Sequence, residues 1–306
     1  MTSPLADLVA AELALPVDPR VTRLATAIAE HHGAASAGVL FYGSCLRQAE
    51  LDGLMLDFYL IVDDYRAAYG SAWLATANRL IPPNVFPFEA DGLAAKYAVL
   101  SRADFARLCR PEADNVSVWA RFAQPVRLVW AIGDAGPEIA ASVAEAIVTL
   151  FQLTVPMLEH AAHPHLTKHK VSDIWKRGFE LTYAAELRAE RAGRGGSIID
   201  FDPARYETFG TAALAEVGRR NGEVPNQLSP KALARRWRAM QRRGKALTLI
   251  RLAKASLTFA GGIDYLAWKI NRHAGTKIDI RPWQRRWPIL GAIALLPRLW
   301  RRGAVR

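Results

Sequence analysis

Two apolar runs near the start of the chain predict neighbouring β-strands. The first, Ala37–Tyr42, carries no charge and is ended abruptly by Gly43 and Ser44. The second, Leu54–Val62, contains a single carboxylate, Asp57, among apolar residues. Since burying an unpaired carboxylate is costly, we expect Asp57 to have a partner. A glycine and hydroxyl turn after a strand lets backbone N–H groups approach a phosphate with no side chain in the way.

Later segments have the periodicity of helices. We expect helices over Pro137–Met157 and Trp175–Arg191, with a loop at Gly193–Gly196. A longer helical region, Lys231–Ile270, is interrupted at Gly261-Gly262, which predicts two helices with a joint between them. Strands followed by helices predict an α+β fold.

The positive charge of the chain is concentrated at one end. The sequence has 40 Lys and Arg against 29 Asp and Glu, but residues 228–306 hold 19 of the cations and only two acids. This leaves 21 cations and 27 acids, a net charge of −6, in the first 227 residues. A basic segment attracts any polyanion, so charge alone does not decide between nucleic acid and an anionic membrane surface.

Arginine and tryptophan residues flank the last apolar run. The run Trp287–Pro297 is about half the ~20 residues needed to span a bilayer, so it cannot cross one. Arg285, Arg286 and Trp287 lie at its start, and Trp300 follows it. This arrangement suits the headgroup boundary of a membrane, where indole rings bury their apolar body and guanidinium groups meet phosphates. Docking of the same run on the protein's own core is the alternative.

Cysteine and histidine usage argues against a metal or disulfide scaffold. The two cysteines, Cys45 and Cys109, cannot form a disulfide framework, which favours a reducing compartment. Four histidines between positions 160 and 169 are interrupted by Pro164 and match no standard zinc spacing, so we expect a solvated loop there. The first 30 residues lack the basic region of a signal peptide, which predicts mature protein from the start.

The Gly-Ser turn and the strand aspartate resemble the layout of the nucleotidyltransferase superfamily. In that superfamily the turn binds a triphosphate and strand carboxylates hold Mg²⁺. A second acid usually stands two residues after the first, whereas this chain has Tyr59 there. Asp57 therefore needs a further metal ligand, for which the candidates are Asp52, Glu89, Asp91 and the phosphates of the nucleotide.

Several motifs in the same order, over roughly Val39–Ile270, extend the resemblance to one family. The segments are Phe-Tyr-Gly-Ser-Cys-Leu-Arg-Gln from Phe41, Met-Leu-Asp-Phe-Tyr-Leu-Ile-Val-Asp-Asp from Met55, Lys-Tyr-Ala-Val from Lys96, Ala-Arg-Phe-Ala-Gln-Pro-Val from Ala120, Leu-Thr-Tyr-Ala-Ala-Glu-Leu-Arg from Leu181 and Phe-Ala-Gly from Phe259. They resemble the mitochondrial-type phosphatidate cytidylyltransferases, the translocator assembly and maintenance family of CDP-diacylglycerol synthases. Cys45, Ala98 and Ala185 stand where that family usually has glycine.

The resemblance implies transfer of a cytidylyl group from CTP to phosphatidic acid, with Mg²⁺ as cofactor. It implies that Gly43 and Ser44 hold the β,γ-phosphates. Asp57 would be the metal ligand, and Lys96 would neutralise phosphate charge. A structural role is the alternative for each: a turn for Ser44, an ion pair with Arg47 for Asp57, and a strand edge for Lys96.

The resemblance also implies roles for residues later in the chain. Tyr183, Glu186 and Arg188 would form a second wall of the nucleotide site, although Arg188 is equally expected on a helix surface. Arg251 and Lys254 would face the lipid headgroup. The residues implied to hold the membrane are Arg285, Arg286, Trp287 and Trp300.

Three regions follow from the resemblance. Residues 1–135 would form a nucleotidyltransferase domain with a mixed sheet, 136–227 a helical, winged-helix-like domain, and 228–306 a basic, helical, membrane-associating region. The expected location is the cytoplasmic face of a bacterial inner membrane, with no nucleic-acid partner. Two alternatives stay open: another Mg²⁺-dependent nucleotidyltransferase, acting on RNA or a small phosphorylated acceptor, and a catalytically inactive membrane-binding homologue.

Overall fold

The structure, a computed structural model, describes residues 3–48, 50–161, 170–185, 194–223, 229–258 and 280–283. Its strands are β1 (Ser36–Tyr42), β2 (Met55–Val62), β3 (Asn84–Ala90), β4 (Leu93–Ser101) and β5 (Val126–Ala131). Its helices are α1 (Pro4–Leu13), α2 (Pro19–His32), α3 (Tyr65–Tyr69), α4 (Ala72–Leu80), α5 (Arg102–Cys109), α6 (Trp119–Phe122), α7 (Ala135–Ala161), α8 (Val171–Tyr183), α9 (Arg194–Phe201), α10 (Pro203–Glu223) and α11 (Pro230–Thr258).

The five strands form one mixed sheet in the order β3-β4-β2-β1-β5. Strands β2 and β4 run parallel, and the other neighbouring pairs run antiparallel. Because two parallel strands need a crossover, the chain passes through α3, α4 and β3 between them. This register sets Asp57 of the central strand β2 between Tyr42 of β1 and Lys96 of β4.

Alternate side chains of the sheet enter two separate hydrophobic cores. Leu56, Phe58 and Leu60 of β2 pack with α2 and α3 on one face. Tyr59 and Ile61 pack on the other face with the remaining helices. Asp57 alternates with Leu56 and Phe58 along β2, so it belongs to this second face. Its carboxylate therefore lies on the side of the sheet that α7 and the helices around it cover.

A layer of helices built around α7 covers that face. Segment Ala135–Leu158 is the one helix in the described part of the chain that is long and apolar enough to cross a membrane, and 61% of its most apolar window is buried within the protein. Such burial is typical of a core helix. The layer is completed by buried tryptophans: Trp175 Nε1 donates to the Tyr206 carbonyl at 2.8 Å, and Trp237 Nε1 donates to the Leu153 carbonyl at 2.9 Å.

Helix α11 ends over the sheet. Its first half buries Leu233, Trp237 and Met240 in the core. At Gly244 it passes so close to the end of α8 that a Cβ would clash with the Ala185 carbonyl oxygen. Its second half then contacts β3. These contacts hold the end of α11 next to the face of the sheet that carries Asp57.

The predicted α+β class is confirmed, with a mixed sheet early in the chain and helices after it. Strands β1 and β2 each begin one residue from their predicted start. The helix predicted over Trp175–Arg191 begins earlier, at Val171, and ends at Tyr183. The predicted joint at Gly261-Gly262 lies outside the described residues, as does most of the histidine segment.

Candidate active site

The turn after β1 brings the backbone close to Asp57. Strand β1 ends at Tyr42, and Gly43 then adopts φ +94° and ψ −165°, a conformation that L side chains rarely adopt. A Cβ at Gly43 would lie 3.2 Å from Asp57 Oδ2. Glycine is therefore favoured here both by the backbone and by the nearby carboxylate. Ser44 follows as an exposed residue, so a ligand from solvent can reach the turn.

Asp57 forms an ion pair directly across strands β2 and β4. Lys96 Nζ lies 2.8 Å from Asp57 Oδ1, and the two side chains are 24% and 21% exposed, respectively. The pair is thus shielded from bulk water but still reachable. Lys96 is the partner that the sequence required for a carboxylate inside an apolar strand.

A cavity of about 160 Å³ lies beside this pair, between the sheet and α11. It is lined by Tyr42, Phe58, Tyr59, Pro83, Val85, Lys96, Ala98, Ser117, Arg121, Arg251 and Lys254. Four of these residues are basic and none is a carboxylate, so the positive potential favours an anion. The volume is well above the roughly 10–15 Å³ that one water needs, which leaves room for a phosphate group.

Two arginines on different helices are attached to one buried serine of the cavity. Arg251 of α11 donates from Nη1 to Ser117 Oγ at 2.8 Å. Arg121 of α6 donates to the Ser117 carbonyl oxygen. Ser117 is itself held by Asn115, whose side-chain oxygen accepts from the Ser117 backbone N–H at 3.2 Å and from its hydroxyl. The segment 115–117 therefore fixes both guanidinium groups in one place.

Lys254 is bound to backbone carbonyls at the edge of the cavity. Its Nζ donates to the Pro83 carbonyl at 2.9 Å and to the Ile81 carbonyl, both in the turn between α4 and β3. Burial, with the neighbouring Arg251 guanidinium, lowers the pKa of Lys254 to about 7. The Lys254 ammonium thus joins the end of α11 to this turn.

The donor atoms at Asp57 suit a magnesium ion that arrives with its substrate. Mg²⁺ is commonly bound through one or two carboxylates together with substrate phosphates, rather than by a cage of protein ligands. Asp57 supplies one such carboxylate. Because Gly43 has no Cβ, the space beside the Asp57 Oδ2 atom stays open. The described residues contain no group of three or more His, Cys, Asp or Glu side chains that could hold a metal.

The three further carboxylates considered for the metal do not join Asp57 in such a group. Asp52 lies 2.8 Å from an Arg20 guanidinium, and Asp91 lies 2.5 Å from an Arg23 guanidinium. Both arginines belong to α2, which covers the other face of the sheet. Glu89 of β3 lies opposite Ala94 of β4, which is two residues before Lys96. Because β4 separates β3 from β2, Glu89 is one strand further from Asp57 than Lys96 is. The phosphates of the nucleotide remain as candidate ligands.

The structure brings together five of the residues singled out in the sequence. Gly43, Asp57 and Lys96 meet at the ends of β1 and β2, and Arg251 and Lys254 line the adjoining cavity. Tyr183 is the last residue of α8 and packs against the core beside Phe179, outside the lining of the cavity. The predicted residues that lie outside the described part of the chain are Glu186, Arg188, Arg285, Arg286, Trp287 and Trp300.

Sequence reasoning did not single out Ser117 and Arg121. Arg121 belongs to the Ala-Arg-Phe-Ala-Gln-Pro-Val segment that carries part of the family resemblance, and this was the available signal for it. Ser117 has no such signal, because its role depends on Arg251, which is 134 residues away in sequence.

Comparisons with known proteins do not assign the chain to a family. No family model matches it, and no curated protein matches it. Among solved structures it is similar to a nucleotidyltransferase-like protein from Exiguobacterium sibiricum, with 10% identity, 92% of each chain covered and a TM-score of 0.29. This likeness is too slight to carry a function, so the interpretation of the site depends on its own geometry.

Proposed function

We propose that the protein is a nucleotidyltransferase. The observation that carries this proposal is the juxtaposition of Gly43, the Asp57–Lys96 pair and a cavity lined by four cations. A turn free of side chains can accept a nucleotide triphosphate, one carboxylate can share its metal ion, and the cations can neutralise its charge.

The more specific proposal is transfer of a cytidylyl group from CTP to phosphatidic acid, which gives CDP-diacylglycerol and pyrophosphate. Among the described residues that line the cavity four are basic and none is acidic, which supports an acceptor that is itself an anion. A phosphate monoester has a second pKa of about 6 and is mostly dianionic at neutral pH.

The residues of the chain have distinct tasks in this reaction. The acceptor phosphate attacks the α-phosphorus in line, and negative charge accumulates on the leaving pyrophosphate. Lys96, on the strand beside Asp57, stabilises that charge, and the Gly43-Ser44 turn orients the β,γ-phosphates. Mg²⁺, when bound with the nucleotide, neutralises further charge.

The tail is proposed to keep the enzyme at its insoluble substrate. Support comes from the sequence, where arginines and tryptophans flank an apolar run too short to span a bilayer. On this basis we propose a peripheral protein on the cytoplasmic face of a bacterial inner membrane. A truncation before Pro282 should lose flotation with anionic vesicles while its binding of CTP stays unchanged.

The deciding experiment follows radiolabelled CTP into a chloroform-soluble product, with purified protein, phosphatidic acid vesicles and Mg²⁺. We expect lipid-phase label that Asp57→Ala abolishes and that Asp52→Ala, a change at an exposed carboxylate, leaves intact. Protein that binds CTP and Mg²⁺ but gives no lipid-phase label would exclude phosphatidate as acceptor. Protein that binds no CTP would exclude nucleotidyl transfer altogether.

A further inference from the structure

Helix α4 presents apolar side chains to solvent along one face. Trp73 is 55% exposed and Leu80 is 75% exposed. They are seven residues apart, about two turns of helix, with Ala77 between them, so they share one face. The opposite face, with Ala75 and Asn78, is buried. A surface helix normally turns polar residues to the solvent, so an exposed indole and leucine on one face indicate an interaction surface.

A second exposed stripe runs along α11, and its character changes towards the cavity. Its residues recur every three or four positions, which is the spacing of one helix face. In chain order these exposed residues are Arg235, Arg238, Arg242, Lys245 and Leu249, and the exposed Ile250 follows the last of them. Helix α11 contains no acidic residue, so the cations of the stripe have no counter-ion on their own helix.

The exposed apolar residues of α4 and α11 lie on the two sides of one contact. Lys254 donates to the carbonyls of Ile81 and Pro83. Leu80 directly precedes Ile81, and Ile250 lies about one turn of helix before Lys254. Lys254 and Pro83 also line the cavity, so these exposed apolar residues lie next to one of its edges.

We propose that the exposed face of α4, with the apolar end of the α11 stripe, inserts into the headgroup region of an anionic bilayer. This surface places one edge of the cavity at the lipid. The inference rests on the proposed membrane location and adds a contact from the sheet-containing half of the chain, whereas the sequence indicated only residues 228–306. A tail alone would keep the protein near a bilayer, and this surface would also orient it.

The chemistry of the surface favours lipid over other partners. Indole and leucine side chains are stabilised at the headgroup boundary, and cations beside them meet lipid phosphates. Nucleic acid would be attracted by the four cations, but it offers no apolar phase to aliphatic side chains such as Leu80 and Ile250. A second copy of the chain would bring the same cations, and like charges oppose pairing of the two surfaces.

The first measurement reports whether α4 enters lipid. Leu80→Cys, in the full chain, is labelled with a polarity-sensitive NBD probe, because the native Cys45 and Cys109 are buried. With vesicles that contain phosphatidylglycerol, the emission should shift to the blue and be quenched by lipids that carry a spin label near the headgroup. The matched control is Leu15→Cys, just after α1, where the leucine is 50% exposed, and its probe should not respond.

The second measurement is the partition of the full chain onto the same vesicles, followed by flotation. The double change Trp73→Ser and Leu80→Ser should weaken partition about 10- to 100-fold, because both side chains leave water on insertion. Leu15→Ser should leave it unchanged. Arg242→Gln should weaken partition about fivefold by removing one cation of the stripe, whereas Arg107→Gln, the same change of charge on α5, should have no effect.

Two further readouts keep this inference separate from the proposed reaction. CTP binding with Mg²⁺ should stay at the wild-type value in every variant, which shows that the site is folded. In the Trp73 and Leu80 double variant, turnover of dissolved short-chain phosphatidic acid should be unchanged, while turnover of phosphatidic acid in vesicles should fall with the partition. If wild-type protein gives no lipid-phase label but the probe at Leu80→Cys still enters the bilayer, the proposed function fails and the surface stands.

Other results would overturn the inference. Wild-type protein that does not bind the vesicles, or a double variant that partitions like the wild type, would show that α4 is not a membrane contact. Equal partition onto anionic vesicles and onto uncharged phosphatidylcholine vesicles would show that the cations of the stripe take no part. A dimer in the absence of lipid that the double variant dissociates would assign the face to a second copy, and RNA binding that the double variant loses would assign it to nucleic acid.

Discussion

The Asp57 and Lys96 side chains are each other's counter-ion until a substrate arrives. Their 2.8 Å contact offsets the cost of a carboxylate on a strand, and it holds both groups at the cavity. Asp57→Asn should lower the transfer rate by about 10²–10³-fold, because a neutral amide is a poor metal ligand and removes the negative charge beside Lys96. It should also cost about 1–3 kcal/mol of folding free energy.

Asp52→Asn serves as the control for that change, since its exposed carboxylate pairs with Arg20 on the surface. Rates come from the lipid-phase label and stabilities from urea unfolding. An active Asp57→Asn enzyme would contradict the role of Asp57 at the metal.

Alanine substitutions at Gly43 and Gly53 distinguish the effect of backbone strain from the effect of a Cβ placed next to Asp57. Gly43 and Gly53 both have positive φ, but a Cβ at Gly53 meets nothing within 4 Å, whereas at Gly43 it lies 3.2 Å from Asp57 Oδ2. Alanine at either position should cost about 1–3 kcal/mol of stability. Gly43→Ala alone should also weaken CTP binding, as measured by calorimetry. Equal CTP affinities in the two variants would show that the turn does not hold the nucleotide.

Asp57 and Gly43 could be found in the sequence because they interrupt a pattern, whereas Lys96, Arg251 and Lys254 were indicated only by the family resemblance. Asp57 is the one charge in an apolar strand, and Gly43 ends the strand before it. The partner of Asp57 could not be found in this way, because the 39 residues to Lys96 include a whole crossover and the strand β3. Nothing local in the sequence indicates that β2 pairs in parallel with β4 rather than with β3.

At the scale of elements, the end of α11 is attached through Lys254. The pKa of this side chain is lowered to about 7 by burial and by Arg251, whereas a lysine in an unfolded chain titrates near ~10.4. Between these two pH values the unfolded chain binds more protons than the folded one. Linkage therefore makes the contribution of Lys254 to the free energy of unfolding increase as the pH rises through this window.

Lys254→Met should remove that contribution. The difference in free energy of unfolding between wild type and variant should become more favourable to the wild type from pH 7 to pH 9. Urea unfolding at several pH values measures it, with Lys245→Met, an exposed lysine of the same helix, as the matched control. A difference independent of pH would show that Lys254 does not titrate in this range.

The elements themselves were predicted well where one face or one run is apolar, and less well at their ends. Strand β2 follows from an apolar run, and helix α7 follows from the helical periodicity of its apolar residues. Helix α8 ends at Tyr183 although helix-forming residues continue beyond it. Just past this end, Ala185 packs closely against Gly244 of α11, a contact that no local sequence pattern contains.

For the whole molecule, a buried ion pair joins the N-terminal helix to the helical layer. Arg205 of α10 donates to Glu12 of α1, with Nη2 at 3.0 Å from Oε1, and both side chains are less than a tenth exposed. Glu12→Ala should cost about 3–5 kcal/mol, because it leaves a buried guanidinium without its counter-ion. Glu138→Ala should lower the free energy of unfolding by no more than about 1 kcal/mol, because the Glu138 carboxylate that pairs with Arg102 is exposed.

Thermal unfolding of the two variants tests this prediction, with CTP affinity of the folded fraction as a second readout. The affinity should stay at the wild-type value in both variants, since neither Glu12 nor Glu138 lines the cavity. Similar stability losses in Glu12→Ala and Glu138→Ala would show that burial of the Glu12–Arg205 pair does not increase its contribution to the free energy of unfolding.

The cavity is lined by residues that lie far apart in the sequence, between Tyr42 and Arg121 and again at Arg251 and Lys254, so they are synthesised at different times. Asp57 and Lys96 leave the ribosome early, while Arg251 follows more than 150 residues later. At about 5–20 residues per second, a nascent chain exposes the aspartate–lysine half of the site for many seconds before the last helix can cover it. During that interval the chain lacks Arg251 and Lys254, so the lining of the cavity is completed only after α11 has been synthesised.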